Sequence, residues 1–384
     1  MDVIGIICEY NPFHNGHIYH TEKIKELYPD SIIILILNGY FLERGEISIL
    51  TKEDKTKIAL LHNVDLVVEL PFIYGTQSAD TFARVSLKIL NELKIERLVF
   101  GSESNDIKGI TEIALFQLND ETFNEKVTKY LSEGLNYPTA LAKALNKKNF
   151  SYLPNDLLGI SYIKAIRKDN LKIDAITIKR TNDYKDIKSN STIISATNIR
   201  NKIKNKEDIT SYLPENSINN LVNVNYDKYF LLLKYKINTD LSLDKYLDVD
   251  EGIEYRLKKY INESKDIFEF VELIKTKRYT YNKINRMLIH ILIGLTKSDN
   301  INSKLDYIKV LGFNKEGQKY LKEIKKNMNI TTSVNIDSLI YKYELKASII
   351  YDLINDTNTI EFEERKKPIM NGFFICYLIF VSSS

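Results

Sequence analysis

The stretch Val3-Ile4-Gly5-Ile6-Ile7-Cys8-Glu9-Tyr10-Asn11-Pro12-Phe13-His14-Asn15-Gly16-His17-Ile18-Tyr19-His20 decides how the rest of the 384-residue chain reads. Its first five residues are an apolar run. Asn11, Pro12 and Gly16 then punctuate a turn, and an amphipathic pattern runs from about His17 to Leu27. A strand that feeds a turn and then a helix puts the His-x-Gly-His core at the carboxyl end of the strand. There the free N–H groups of the helix start and the positive end of its dipole face one space, which suits a phosphate. Gly16 lets a phosphate or an adenine ring come close to the backbone. His14 and His17 can each donate to phosphate oxygens and stabilise charge as an α-phosphorus is attacked. Three of the five histidines, His14, His17 and His20, lie in this segment. A chance turn is the plainer alternative. Zinc is another, but no further ligand cluster accompanies the pair.

The alternation continues outward. Ile32 to Leu37, Leu66 to Leu70, Arg97 to Phe100 and Ile173 to Ile178 read as further strands, and their near-continuous apolar character suits a sheet covered on both faces. Helical patterns separate them, at 17–27, 53–62, 78–93 and 156–167. This order predicts right-handed crossovers and a Rossmann-like, doubly wound parallel α/β domain over residues 1–205, with ligands beyond the carboxyl ends of the strands. Pro138 and Pro154 mark 105–155 as a helical insertion. Past residue 205 glycine thins out. Ile267-Phe268-Phe270-Val271-Leu273-Ile274 and Ile284-Met287-Leu288-Ile291-Leu292 each fit one helix face, so residues 206–384 are expected to form a mostly α-helical second domain.

Composition narrows the classes. Hydrophobic residues at 44% and charged residues at 27% exclude a disordered or fibrous chain. No apolar run approaches the roughly 20 residues of a membrane helix, including the tail from Phe373 to Val381. No basic segment precedes an apolar one at the N-terminus, and Cys8 and Cys376 cannot build a disulfide framework, so a cytoplasmic location is expected. Net charge is +3; residues 1–200 carry 25 basic and 26 acidic side chains, and the remainder 29 and 25. The second half has room for a basic face, without requiring one.

A second element supports the phosphate reading. Ser195-Ala196-Thr197-Asn198-Ile199-Arg200 follows the fifth strand and its loop. A Ser or Thr cap, N–H groups and a guanidinium at one helix start make another grip on phosphate. Its plain alternative is an ordinary N-cap with a solvent-facing arginine.

Together the two elements resemble the nucleotidyltransferase superfamily. More closely, the chain resembles the tRNA(Met) cytidine acetate ligase family, through Gly5 to His17, Asn38-Gly39, Gln77-Ser78-Ala79-Asp80, Phe100-Gly101-Ser102-Glu103, Leu153 to Tyr162, Ile178-Lys179-Arg180, Lys275 to Thr280 and Val310-Leu311-Gly312-Phe313. The resemblance spans essentially the whole chain. It implies ATP as a substrate, with Mg²⁺ a candidate companion, acetate activated as acetyl-adenylate, and transfer to the N4 amine of the wobble cytidine of elongator tRNA(Met). Neither DNA nor a membrane is among the implied partners. The ATP site maps to Ile7 through His20 with Gly101, Asn155 and Arg180, to which the phosphate reading adds Ser195, Thr197 and Arg200. His14 and His17 are the candidate catalytic residues. Asn155 has an alternative role as a helix N-cap.

For the RNA, Lys275, Lys277, Arg278, Lys283 and Arg286 interleave with Tyr279 and Tyr281, and cations beside aromatic rings suit an unpaired loop. The bland alternative is a solvated helix face with its tyrosines in the core. Lys185 stands where the family usually has His, and Lys283 and Lys309 where it favours Arg, which loses the planar fork. Two other functions remain open on the residues alone: a small-molecule adenylyltransferase, and a nucleotide-binding factor without catalysis.

Overall fold

The structure, a computed structural model, describes residues 2–135, 137–145, 153–180, 192–276, 278–324, 329–332, 337–364 and 367–371. Lys277, Lys185 and the apolar tail from Phe373 onward lie outside them.

Five parallel strands are built from the five apolar runs: β1 (Val3–Cys8), β2 (Ile32–Asn38), β3 (Leu66–Leu70), β4 (Arg97–Ser102) and β5 (Asp174–Lys179). Period-2 alternation explains why β2 is apolar throughout. Ile32, Ile34 and Ile36 face one core cluster with Phe82, Ala83 and Ile160. Ile33, Leu35 and Leu37 face another with Ile24, Ile58 and Ala59. Helices Asn15–Leu27 and Lys52–Leu61 therefore cover one face and Ala79–Glu92 and Pro154–Lys168 the other. Burying each of the isoleucine, leucine and phenylalanine side chains contributes about 1.5–3 kcal/mol. The insertion forms helices Ile107–Asn119, Phe123–Ser132 and Tyr137–Leu145.

Beyond residue 205 the described chain is mostly helical, as expected, and it also supplies strands. β6 (Ile308–Phe313) pairs antiparallel with β3, and β7 (Ile330–Thr331) and β8 (Ile369–Met370) pair with β6. Among the described residues the sheet thus has eight strands, in the order β5-β4-β1-β2-β3-β6-β7, with β8 also on β6. The second half completes the sheet edge instead of standing wholly apart from it. No helix among the described residues is long and apolar enough to cross a membrane.

The strand order reverses between β1 and β4, since β2 and β3 extend to one side and β4 and β5 to the other. Such a switch point opens a crevice at the carboxyl ends of the strands.

Candidate active site

A cavity of about 290 Å³ occupies that crevice, walled by the ends of β1, β4 and β5 and by the segment Ile193–Arg200. The histidine turn forms its floor. The helix begins at Asn15, two residues earlier than the pattern indicates, because His14 is its N-cap. His14 Nδ1 accepts the Gly16 N–H at 3.0 Å, and the His14 N–H donates to His17 Nδ1 at 3.1 Å. Two imidazoles thus act as a reciprocal capping box, the role usually filled by hydroxyl and carboxylate side chains. With Nδ1 accepting on both rings, the ring proton is assigned to Nε2. The rings lie 3.9 Å apart, braced by Tyr10 and Phe13 against His17. Gly16 is required here for the turn itself: a Cβ would stand 2.7 Å from the His14 ring.

Burial, reinforced by Arg180 and Arg200, pushes His14 down to about 3; burial and then His14 and Arg180 hold His17 well below its usual range. Burial, with Arg180, pushes His20 to about 4, and its Nε2 is buried without a partner among the described residues. These are neutral N–H donors at neutral pH, not imidazolium ions. The Cys8 thiol is pushed up to about 12 by burial, so it is no nucleophile.

Of the segment Ile7 to His20, the residues Ile7, Cys8, Glu9, Tyr10, Asn11, His14, Gly16, His17, Tyr19 and His20 line the cavity. Pro12, Phe13, Asn15 and Ile18 lie off its wall. Phe13 is buried behind the histidines, and Asn15 Nδ2 holds the opposite loop through the carbonyls of Thr192 and Ser211, both at 3.0 Å.

The second element docks on the first. Ser195 caps helix Ala196–Lys204 by accepting the Asn198 N–H at 3.2 Å. One turn on, Arg200 donates to the Asn11 carbonyl at 2.8 Å and pairs with Glu46 at 3.0 Å, with Thr197 Oγ1 at 3.5 Å. Arg200 is therefore neither solvent-facing nor spent entirely on ligand: part of its fork fixes the turn while the residue lines the cavity.

Gly101 and Arg180 meet across β4 and β5, with the arginine stem 3.4 Å from where a Cβ would be. Asn155 is not the helix cap: Leu153 holds that position, and Asn155 Nδ2 donates to Glu103 Oε1 at 2.6 Å. Glu103 also accepts the Asp156 N–H at 3.0 Å, while the Asp156 carboxylate accepts the N–H groups of Glu103 and Ser104 at 3.1 and 3.0 Å. This exchange clasps the end of β4 to the helix start and places Gly101 and Asn155 on one wall. Neither carboxylate was singled out from sequence; both sit in stretches that carry the family resemblance.

The loop after β2 was also missed. Glu43, Arg44 and Glu46 line the cavity. The topology could have found them, because loops at the carboxyl ends of such strands carry ligand sites. Glu9 accepts the Glu43 N–H at 2.7 Å and Asn38 Nδ2 at 3.0 Å. Burial and the neighbouring Glu9 push the Glu43 carboxyl up to about 7, against Arg286 at 3.6 Å. Gly45, at φ +72°, brings this loop against the backbone of Asn285 and Arg286, where a Cβ would clash at 2.3 Å.

A family model described as HIGH Nucleotidyl Transferase matches residues 1–366. A tRNA(Met) cytidine acetate ligase of Fusobacterium nucleatum is 39% identical over 90% of this chain and 92% of its own length. One from Bacillus subtilis is 38% identical over 92% of each chain. The chain belongs to the tRNA(Met) cytidine acetate ligase family of HIGH nucleotidyl transferases. A crystal structure of Thermotoga maritima TmcAL bound with alpha-thio ATP matches with a TM-score of 0.81 at 27% identity, over 96% of this chain and 99% of that one.

Within this family member the expected RNA residues part company. Lys275 and Arg278 are exposed, beside Glu272 at 3.5 Å and Glu251 at 2.8 Å. Tyr279 is buried, its hydroxyl donating to the Asp250 carbonyl at 2.5 Å, and Lys283 lies over its ring at 4.3 Å. Arg286 turns inward to Glu43, at the cavity rim. The four described cations, Lys275, Arg278, Lys283 and Arg286, thus form no single surface, and Lys277 lies outside the described residues.

Three buried glutamates, Glu69, Glu344 and Glu363, could together suit a cation. Lys52 Nζ already stands 2.6–2.8 Å from all three.

Proposed function

We propose that this protein is an ATP-dependent acetate ligase that makes N4-acetylcytidine at the wobble position of elongator tRNA(Met). The observation that carries the reading is the pair of neutral imidazoles, Nε2–H on each, at the floor of the switch-point cavity.

An acetate oxygen attacks the α-phosphorus of ATP, the bond to the bridging oxygen breaks, and pyrophosphate leaves. His14 and His17 donate to phosphate oxygens as negative charge builds there. A neutral donor suits this role because its N–H is too weak an acid to transfer its proton, so the hydrogen bond to the developing charge persists. Arg180 and Arg200 supply the positive charge. The cytidine amine then attacks the acetyl carbonyl carbon, one of its protons passes to water, the mixed-anhydride C–O bond breaks, and AMP leaves with the electron pair.

The carboxylates at the cavity do not fit a protein-held Mg²⁺. Glu9 is taken by Asn38 and Glu43 N–H, Glu46 by Arg200, and Glu43 faces Arg286. No step is assigned to the ion. The helical half, with Arg278 and Lys275 outward and Arg286 at the rim, is the side on which we place the tRNA.

ATP–pyrophosphate exchange with radiolabelled pyrophosphate tests this. Exchange that requires acetate is expected. Exchange that requires a different small acceptor identifies a small-molecule adenylyltransferase, and none at all a non-catalytic binder.

A further inference from the structure

Three aromatic rings remain exposed where the helical half meets the cavity. Tyr226 opens helix Tyr226–Thr239, which already buries Tyr229, Phe230, Leu233 and Ile237. Phe268 is on helix Ile267–Ile274, which buries Ile267, Phe270, Val271 and Ile274. Tyr281 opens helix Tyr281–Ile293. The core needs none of the three, and they are 41%, 45% and 43% exposed. Tyr226 and Phe268 lie 5.2 Å apart, inclined by 50°. The chain leading into Tyr226 is tied to the loop after β2, where the Val222 N–H donates to the Ile49 carbonyl at 2.9 Å, and Arg286, on the helix that Tyr281 opens, faces Glu43 on the cavity wall at 3.6 Å. Lys204 Nζ stands 5.0 Å from the centre of the Phe268 ring. Arg200 and Lys204 are four residues apart on one helix, so a line of positive charge runs from the cavity rim to Phe268.

Aromatic faces beside cations are how unpaired nucleic acid is held: bases stack on the rings while the phosphates meet the charges. An apolar protein partner would find tyrosine hydroxyls and lysine here. We infer that Tyr226, Phe268 and Tyr281 form a stacking platform for unpaired nucleobases of an RNA loop, steering the acceptor base over the Arg200–Glu46 rim into the cavity. This rests on the RNA-acceptor reading above. It moves the aromatic contact from the buried Tyr279 to three rings that were not grouped by sequence.

The test uses the full chain and an unmodified elongator methionine tRNA transcript. The double variant Tyr226→Ala/Phe268→Ala is expected to raise the KM for tRNA at least about tenfold. Acetate-dependent ATP–pyrophosphate exchange, measured without tRNA, stays at the wild-type rate and reports an intact fold. Tyr226→Phe keeps the wild-type KM, because the ring stacks and not the hydroxyl. An unchanged KM in the double variant overturns the platform. So does a raised KM shared by Tyr226→Phe, or loss of exchange without tRNA. A wild-type chain that lacks acetate-dependent exchange defeats the ligase reading instead.

Discussion

The cavity and the buried ion cluster beside β3 solve opposite problems with similar material. In the cluster, Lys52 is fully buried and within 2.8 Å of Glu69, Glu344 and Glu363, and Lys309 reaches Glu363 at 2.7 Å. Tyr40 also donates to Glu363 at 2.9 Å. Charge is met by charge inside the protein, across elements as far apart as residues 52 and 363. In the cavity, three imidazoles are kept neutral and Arg180 and Arg200 face a common space. There the positive potential and the N–H donors are left for an anion from outside. The difference is in how far the fold answers its buried polar groups: in the cluster the carboxylates meet Lys52 and Lys309, whereas in the cavity Asn11 and Glu46 take up only part of the Arg200 fork, which still lines the space.

The largest expected effect is in the cluster. Lys52→Ala leaves its glutamates short of a cation and should cost about 3–5 kcal/mol in urea unfolding. A loss under about 1 kcal/mol would mean the carboxylates simply protonate, and would erase the contrast. In the cavity the loss should fall on activity. His17→Ala is expected to lower acetate-dependent exchange about 10²–10³-fold. Losing its bond to the His14 N–H should cost stability only about 1–2 kcal/mol. Normal exchange in that variant would remove His17 from the chemistry.

Proton uptake sharpens the comparison. The folded histidines titrate below their ordinary value of 6.5, His20 at about 4 and His14 at about 3. Between those values and 6.5 the unfolded chain binds more protons, so this contribution to stability is present above pH 6.5 and lost as the pH falls. One such histidine accounts for about 2 kcal/mol between pH 7 and pH 5. Glu43, pushed up to about 7, acts in the opposite sense between its ordinary 4.5 and 7. Denaturation midpoints at both pH values, with His20→Gln flattening the profile, check this. Equal midpoints for the wild type would show that the folded imidazoles still take up protons freely. The smallest effect belongs to the outer surface. Arg278→Glu should weaken tRNA binding and lower the salt slope of affinity by about one, with exchange unchanged. An unaltered slope would place Arg278 outside the RNA contact.

Much of the nucleotide side was legible in sequence. The runs that became β2 and β3 are apolar and buried on both faces, which few structures other than a covered sheet accommodate, whereas β5, with Asp174 and Lys179 exposed, is an edge. The turn from Asn11 to Gly16 could only follow β1. β6 escaped notice because Lys309 and Gly312 interrupt its apolar character. Lys309 answers Glu363, and Gly312 lacks room for a side chain beside Thr56 and Leu60. Lys52 and Lys55 are fully buried at the start of the helix whose pattern the sequence showed, and nothing near them in the chain announces Glu344 or Glu363. The RNA side was the least legible. Tyr279 and Tyr281 are two positions apart and look alike in sequence, but one packs inward onto Asp250 and the other stays in solvent.

Local order along the chain determined the alternation of strands and helices that implies a covered parallel sheet, and the imidazole turn, because strand, turn and helix are written in contiguous residues with periods of their own. Only the tertiary structure decided that Arg200 locks onto Asn11, that Glu43 and Arg286 share the rim, and which tyrosines remain exposed. Those outcomes depend on surfaces brought together from distant segments, where burial and charge pairing act without regard to separation in sequence.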